Sequence, residues 1–263
     1  MKKMLLTATT WLLIAAFAVG CSKPQAEEPV DTTVSEMTME TTEKETSTVA
    51  DETVSEPTKE VVNEPYSEQI GRYYTPLLEM WDVNEYIEND LSTLPSAYCE
   101  GNPLENVGYG LVDLDNDGAP ELVIGAILNA DTDPTVFEIW TMVDGEPVMV
   151  AQSNFESRYI LQYPEEEEMW YIVREDSDGI AFCATYYITL NEGACEIVQG
   201  VVYNVFADEE NPWFMTYDLD EDVSNDMPID EDTANAILSS NQKYYKTPEY
   251  ISYKDYQSMG TSS

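Results

Sequence analysis

From Val107 onward, apolar and polar residues alternate in short runs, the period of strands that bury one face. The runs predict strands at residues 108–114, 121–128, 136–143, 147–152, 158–163, 169–174, 180–190, 194–206 and 213–218. Asp144-Gly145, Asp178-Gly179 and Glu192-Gly193 stand between runs as tight turns, which points to an antiparallel meander. Upstream the period lengthens. Tyr73, Leu77, Met80, Trp81, Val83, Tyr86, Ile87 and Leu91 recur at three- and four-residue spacings and predict a helical stretch over about 68–91. Pro76 falls inside it and should impose a kink or a late start. Pro95 and Gly101-Asn102-Pro103 then break the chain. Near the end, Asp230 follows Ile229 as an N-cap, with a helix expected over 231–242. The expected class is α+β: an antiparallel β meander sheet flanked by an N-terminal helical segment and a C-terminal helix.

Composition divides the chain where the pattern begins. Residues 22–63 hold no aromatic residue, but 9 Thr, 4 Ser, 11 acidic and 3 basic residues. Such a stretch cannot bury enough apolar surface to offset chain entropy and reads as a disordered, acidic, Thr-rich tether. All 18 tyrosines and four of the five tryptophans follow, from Tyr66 on. Residues 64–263 are therefore expected to form a single domain, with most of its aromatics in the core.

The first residues have a different purpose. Met1-Lys2-Lys3 is a short basic segment, residues 4–17 are an apolar run broken by threonines, and Ala18-Val19-Gly20 closes it with small residues before Cys21. This is the layout of a secretory signal over 1–20. The run is shorter than the roughly 18–20 residues that span a bilayer. A plain signal needs no cysteine after the cleavage point; Cys21 makes this a lipobox, although Ala18 stands where Leu is commoner. The expectation is an extracytoplasmic chain, held to the membrane by a diacylglycerol on Cys21.

Charge and missing residue types narrow the function. Loss of Lys2 and Lys3 leaves 9 basic against 52 acidic residues. A broad nucleic-acid surface is excluded, because it needs Lys and Arg to replace counterions. Lying flat on an anionic membrane is disfavoured too. So acidic a surface confers solubility, and it also attracts divalent cations. The chain has no histidine, which rules out Ser-His-Asp and Cys-His catalysis and any histidine-ligated metal. Cys99, Cys183 and Cys195 form no C-x-x-C pair. With Leu190 facing Ala194 across a turn, Cys183 would lie about 20 Å along the strand from the position opposite Cys195, too far to bridge. Cys99 could reach either one, and the odd count leaves at least one thiol, expected to be buried as a small hydrophobe.

One segment carries chemistry. Asp113-Leu114-Asp115-Asn116-Asp117-Gly118-Ala119-Pro120-Glu121 reads D-x-D-x-D-G-x-x-E. Calcium takes six to eight oxygens at about 2.3–2.6 Å, and carboxylates at alternate positions can wrap around it. Asp113, Asp115 and Asp117 would bind it, Gly118 would allow the sharp turn, and the Ala119 carbonyl and the Glu121 carboxylate would complete that side. Ile124 stands where an EF-hand has its bidentate Glu, and both flanks read as strands. The segment is thus similar to the strand-loop-strand calcium loops of surface β-domains such as integrin-type propeller blades, with an expected Kd of roughly 10⁻⁴–10⁻³ M. The alternative is an Asp/Gly turn that binds no metal. Asp218-Leu219-Asp220-Glu221-Asp222 begins alike, but Val223 replaces the glycine, so a solvated acidic loop is expected there.

Tyr109-Gly110-Leu111-Val112-Asp113 through Glu121-Leu122-Val123-Ile124-Gly125 resembles a large set of Firmicutes surface lipoproteins, in which a YALxDLDGDGxPELLIG segment follows a helical region. The likeness continues through Phe137-Glu138-Ile139-Trp140, Val143-Asp144-Gly145-Glu146-Pro147-Val148 and Ser157-Arg158-Tyr159, to a C-terminal helix followed by Glu249-Tyr250-Ile251. It implies a lipobox, a low-complexity tether and a calcium-loop β-domain at the cell surface, and no particular activity. Asn116 stands where that family often has Gly. The reading is a non-enzymatic, monomeric surface module that binds a protein or glycan ligand or serves the envelope. The alternative is a carboxylate-based hydrolase acting on glycans, which needs no histidine.

Overall fold

The computed structural model describes residues 65–219 and 222–260. The expected signal segment, Cys21 and the tether over 21–63 lie outside the described residues.

The N-terminal helical stretch is three short helices rather than one: α1 (Ser67–Gly71), α2 (Tyr74–Glu79) and α3 (Val83–Glu88). Pro76 is the third residue of α2, in the first turn, where its missing N–H costs nothing. Met80 ends α2 in the left-handed region at φ 53°. Asp82 then starts α3 with a capping box, accepting from the Asn84 and Glu85 backbones while Glu85 accepts from its own. The three- and four-residue spacing therefore records a shared buried side, not one continuous axis. A 3-10 turn (Leu94–Tyr98) and α4 (Pro103–Asn106) complete the segment.

Among the described residues eleven strands follow, in one sheet. They are β1 (Val107–Val112), β2 (Glu121–Ala126), β3 (Thr135–Val143), β4 (Glu146–Gln152), β5 (Ser157–Gln162), β6 (Tyr171–Ser177), β7 (Phe182–Asn191), β8 (Ala194–Asn204), β9 (Trp213–Thr216), β10 (Met227–Pro228) and β11 (Ile251–Ser252). Helix α5 (Glu231–Gln242) lies between β10 and β11, and α6 (Tyr253–Gly260) follows β11. All the pairings are antiparallel, and the α+β class is as expected. The order is β10-β9-β8-β7-β6-β5-β3-β2-β1-β11. The meander is interrupted at β3, which gives Thr135 and Val136 to β5 and residues 138–143 to β4.

Alternation along the strands sends side chains to two cores. Leu161 of β5, Ile172 of β6, Ala184, Tyr186, Ile188 and Leu190 of β7 and Val202 of β8 share one core with Val123 and Ile139. On the other face, Ile160, Val173 and Tyr187 pack with Ile237 of α5, and Val201 packs with Ala234. At the β1–β3 end, Leu122, Ile124 and Ala126 face the helices and join Ile70, Tyr73, Leu77, Tyr86 and Tyr253. A bulge adjusts β3 to this face. Ile124 pairs with Glu138 and Gly125 with Val136, which leaves Phe137 as the extra residue. Phe137 enters the helical core. Glu138, fully buried beside it, accepts hydrogen bonds from Ser92 N (3.3 Å), Trp140 Nε1 (2.9 Å) and Gln152 Nε2 (3.1 Å).

The chain ends by strapping the sheet. Tyr245 bridges to Gln162, Lys246 N donates to the Leu161 carbonyl at 2.9 Å, and Thr247 Oγ1 donates to that of Ala130. The strap then crosses β1, where a Cβ on Gly110 would lie 2.7 Å from the Glu249 carbonyl oxygen. Ile251 pairs with Tyr109, and Tyr253 buries its ring against Tyr109, with its hydroxyl donating to the Ile70 carbonyl at 3.0 Å. Strands β10 and β11 and helix α6 were not legible in the sequence: two-residue strands have no period to read.

The cysteines differ from expectation in two respects. Across the β7–β8 turn Asn191 pairs with Ala194, so Cys195 faces Leu190 and Cys183 faces Tyr203. No disulfide joins Cys99, Cys183 and Cys195. Cys183 and Cys195 are exposed and Cys99 is half-buried, so none is a fully buried thiol.

Candidate metal centre

The Asp-rich loop joins β1 to β2, as the flanking strand periods predict. Asn116 and Gly118 turn it, at φ 59° and 91°. Asn is among the few side chains that tolerate the left-handed region, which explains how a residue other than Gly stands at position 116. Each aspartate accepts from the loop's own backbone. Gly118 N donates to Asp113 Oδ2 at 3.1 Å, Asp117 N to Asp115 Oδ1 at 3.2 Å and Ala119 N to Asp117 Oδ1 at 2.7 Å.

These bonds fold three carboxylates inward. One oxygen from each of Asp113, Asp115 and Asp117 lies within 4.8 Å of the others. Two oxygens held by one calcium at about 2.4 Å each stand no more than about 4.8 Å apart. The spacing thus suits one shared cation. Asp113 Oδ1 is buried and has no hydrogen-bond partner. A buried carboxylate oxygen without a donor costs stability, and a bound cation would remove the cost. The residues present fit the ion.

Of the two other predicted ligands, Glu121 is placed apart from the aspartates. Glu121 is 2% exposed and lies outside the group of three. Its Oε2 accepts from Leu114 N at 2.7 Å and its Oε1 from Thr141 Oγ1 at 3.0 Å. It braces the base of the loop against β3. Burial pushes its carboxyl up to about 7, the Leu114 and Thr141 donors hold it back, and the charges of Asp115 and Asp117 raise it further. Burial also raises Asp115, with the neighbouring charges of Asp117 and Asp113 adding to the effect. Ala119 stays on the exposed side of the loop. Ile124 is wholly buried in the helical core, which removes the EF-hand's twelfth position from any ligand role.

Sequence reasoning missed three neighbours. Tyr66 donates its hydroxyl to the Pro120 carbonyl at 3.2 Å, and burial, with Glu121, Asp117 and Asp115 nearby, pushes it up to about 12. Thr141 lies 20 residues from Glu121. Asn116 Nδ2 reaches the Glu168 carbonyl at 3.3 Å, which brings the Glu165–Glu168 run beside the loop. No local spacing signals these contacts; only Tyr66, the first aromatic after the tether, is marked in the sequence.

No protein-family model matches the chain, and comparison with curated proteins and with solved structures likewise gives no match.

Proposed function

We propose that the chain is an exported surface lipoprotein, held to the membrane through Cys21, whose β-rich domain is stabilised by calcium and works as a binding or envelope-associated module without catalysis. The observation that carries the calcium reading is the convergence of Asp113, Asp115 and Asp117 with a buried, unpartnered oxygen on Asp113. The signal layout, the lipobox and the acidic tether support the location, and the resemblance to surface lipoproteins supports the combination. The net charge of −41 speaks against nucleic acid as partner. The domain is proposed to act as a monomer.

Calcium bound at the loop would offset two of the three negative charges gathered within one turn and pin β1 to β2 at that end. The test is thermal unfolding of residues 21–263, with Cys21→Ser, in calcium and in chelator, beside the same chain carrying Asp115→Ala. At several millimolar calcium and the expected Kd, an ion that binds only the folded state adds about 1–2 kcal/mol. We expect a calcium-dependent rise in midpoint that the substitution removes. Superimposed curves at several millimolar calcium would reduce the loop to an Asp-rich turn.

A further inference from the structure

The described part of the chain has six basic residues, and four of them are occupied. Arg158 pairs with Asp133 and Glu175, Arg174 with Asp176 and Lys254 with Glu105. Arg72 donates to the Asn89 and Asp90 carbonyls. Lys243 and Lys246 are in no ion pair among the described residues, in a chain with 52 acidic ones. Both stand in the same depression of about 260 Å³, between the strap that follows α5 and the loop after β5.

The ammonium groups rest on aromatic faces. Lys246 Nζ lies 4.4 Å from the ring centre of Tyr163 and 5.4 Å from that of Trp170, and those two rings are 4.9 Å apart. Lys243 Nζ lies 4.5 Å from the ring of Tyr244. The C-terminal end of α5 favours a cation at Lys243. Lys246 is three residues further on and has no helix end to account for it. Ring faces orient a cation without neutralising it. The pocket therefore combines two cations, aromatic surface and, on its rim, the carboxylates of Glu165 and Glu166.

We propose that this depression binds an acidic saccharide, a hydroxyl-bearing sugar ring with a carboxylate. The lysines take the carboxylate, the tyrosine rings cover the ring's apolar face, and Glu165 and Glu166 accept its hydroxyls. A simple anion would be repelled by the glutamates, one of which, Glu166, already acts on Lys243, and a neutral sugar would leave the Lys246 charge unmet. The volume, just under the roughly 300–1,000 Å³ of drug-sized pockets, suits one ring. The chain's net negative charge acts over long range and is screened beyond about 8 Å at physiological salt, whereas contact with the two ammonium groups is not. The inference gives the binding-module reading a ligand class and rests on it.

The test titrates residues 21–263, with Cys21→Ser, against methyl glucuronide, methyl glucoside and inorganic phosphate by calorimetry in 0.15 M salt. Chain carrying Lys246→Gln is run beside it, and the calcium shift in thermal midpoint is read on the same samples. We expect millimolar binding of the glucuronide, at least about tenfold weaker binding of the glucoside, no competition from equimolar phosphate, and about a tenfold loss in the Lys246→Gln chain. Equal binding of both sugars, displacement by phosphate, absence of glucuronide binding, or an unaffected variant would each overturn the proposal. A missing calcium shift with intact glucuronide binding would overturn the calcium reading and leave this one standing.

Discussion

Glu121 provides a measurable consequence of how the Asp loop is braced. Its carboxyl, 2% exposed, is raised from an ordinary 4.5 to about 7, chiefly by burial. In metal-free buffer between those two values, the unfolded chain has released this proton while the folded chain still holds it. Stability therefore falls as pH rises through the window. Below about 4.5 both states are protonated, and above about 7 both are ionised, so the loss is complete and then constant. A shift of about 2.5 units at 1.36 kcal/mol each is about 3.4 kcal/mol, and water at the neighbouring exposed loop reduces it to about 2–3 kcal/mol. Glu121→Gln keeps an oxygen for Leu114 N and lets its amide donate to the Thr141 hydroxyl, but it cannot ionise. Urea unfolding of both chains at pH 4.5 and pH 8, with divalent ions removed, should give equal stabilities at the lower pH. At the higher pH the variant should lead by about 2–3 kcal/mol, or roughly 4–12 °C in Tm for a domain of this size. Titrating groups that do not act on Glu121 are common to both chains and cancel in the difference; Asp115 and Asp117, which do, are part of the same effect. Parallel pH curves for the two chains would refute the argument that Glu121 is held protonated by burial.

Two further outcomes follow from the β3 bulge and the C-terminal strap. Glu138→Ala strips the acceptor from Ser92 N, Trp140 Nε1 and Gln152 Nε2. With one of these fully buried and two half-buried, the loss should be about 3 kcal/mol in a denaturant titration, and a loss below about 0.5 kcal/mol would show that water replaces the carboxylate. Gly110→Ala places a Cβ 2.7 Å from the Glu249 carbonyl, a backbone atom that cannot swing away. The strap should lift, and cleavage after Lys246 or Lys254 by a lysine-specific protease should quicken several-fold while far-ultraviolet circular dichroism stays native.

Period and punctuation were enough to place most of the strands. β3, β4, β5 and β7 lie within two residues of their predicted bounds, and α5 is capped by Asp230, whose side chain accepts from Thr233 N. These are local properties: alternation follows from the pleat, and a cap forms between residues three apart. The aspartate spacing is local too, and so the three carboxylates meet. Glu121 shows the limit. At position nine it is a candidate ligand by spacing, but as the first residue of β2 it faces Thr141 across the sheet interior, and the strand decides which way it points.

The amino-acid sequence by itself determined which segments could be strands, where acidic ligands could gather and which catalytic chemistries lack a histidine. Tertiary structure decided the rest. The division of β3 between β4 and β5 depends on partners that only the folded sheet supplies. The return of residues 251–252 to β1 needs glycine on that strand, because a Cβ on Gly110 would lie 2.7 Å from the carbonyl oxygen of Glu249, far along the chain. Lys246 reaches Tyr163 and Trp170 only because the strap runs beside β5. Each is a contact between positions far apart in sequence, set by chain closure and packing, and no local period encodes that.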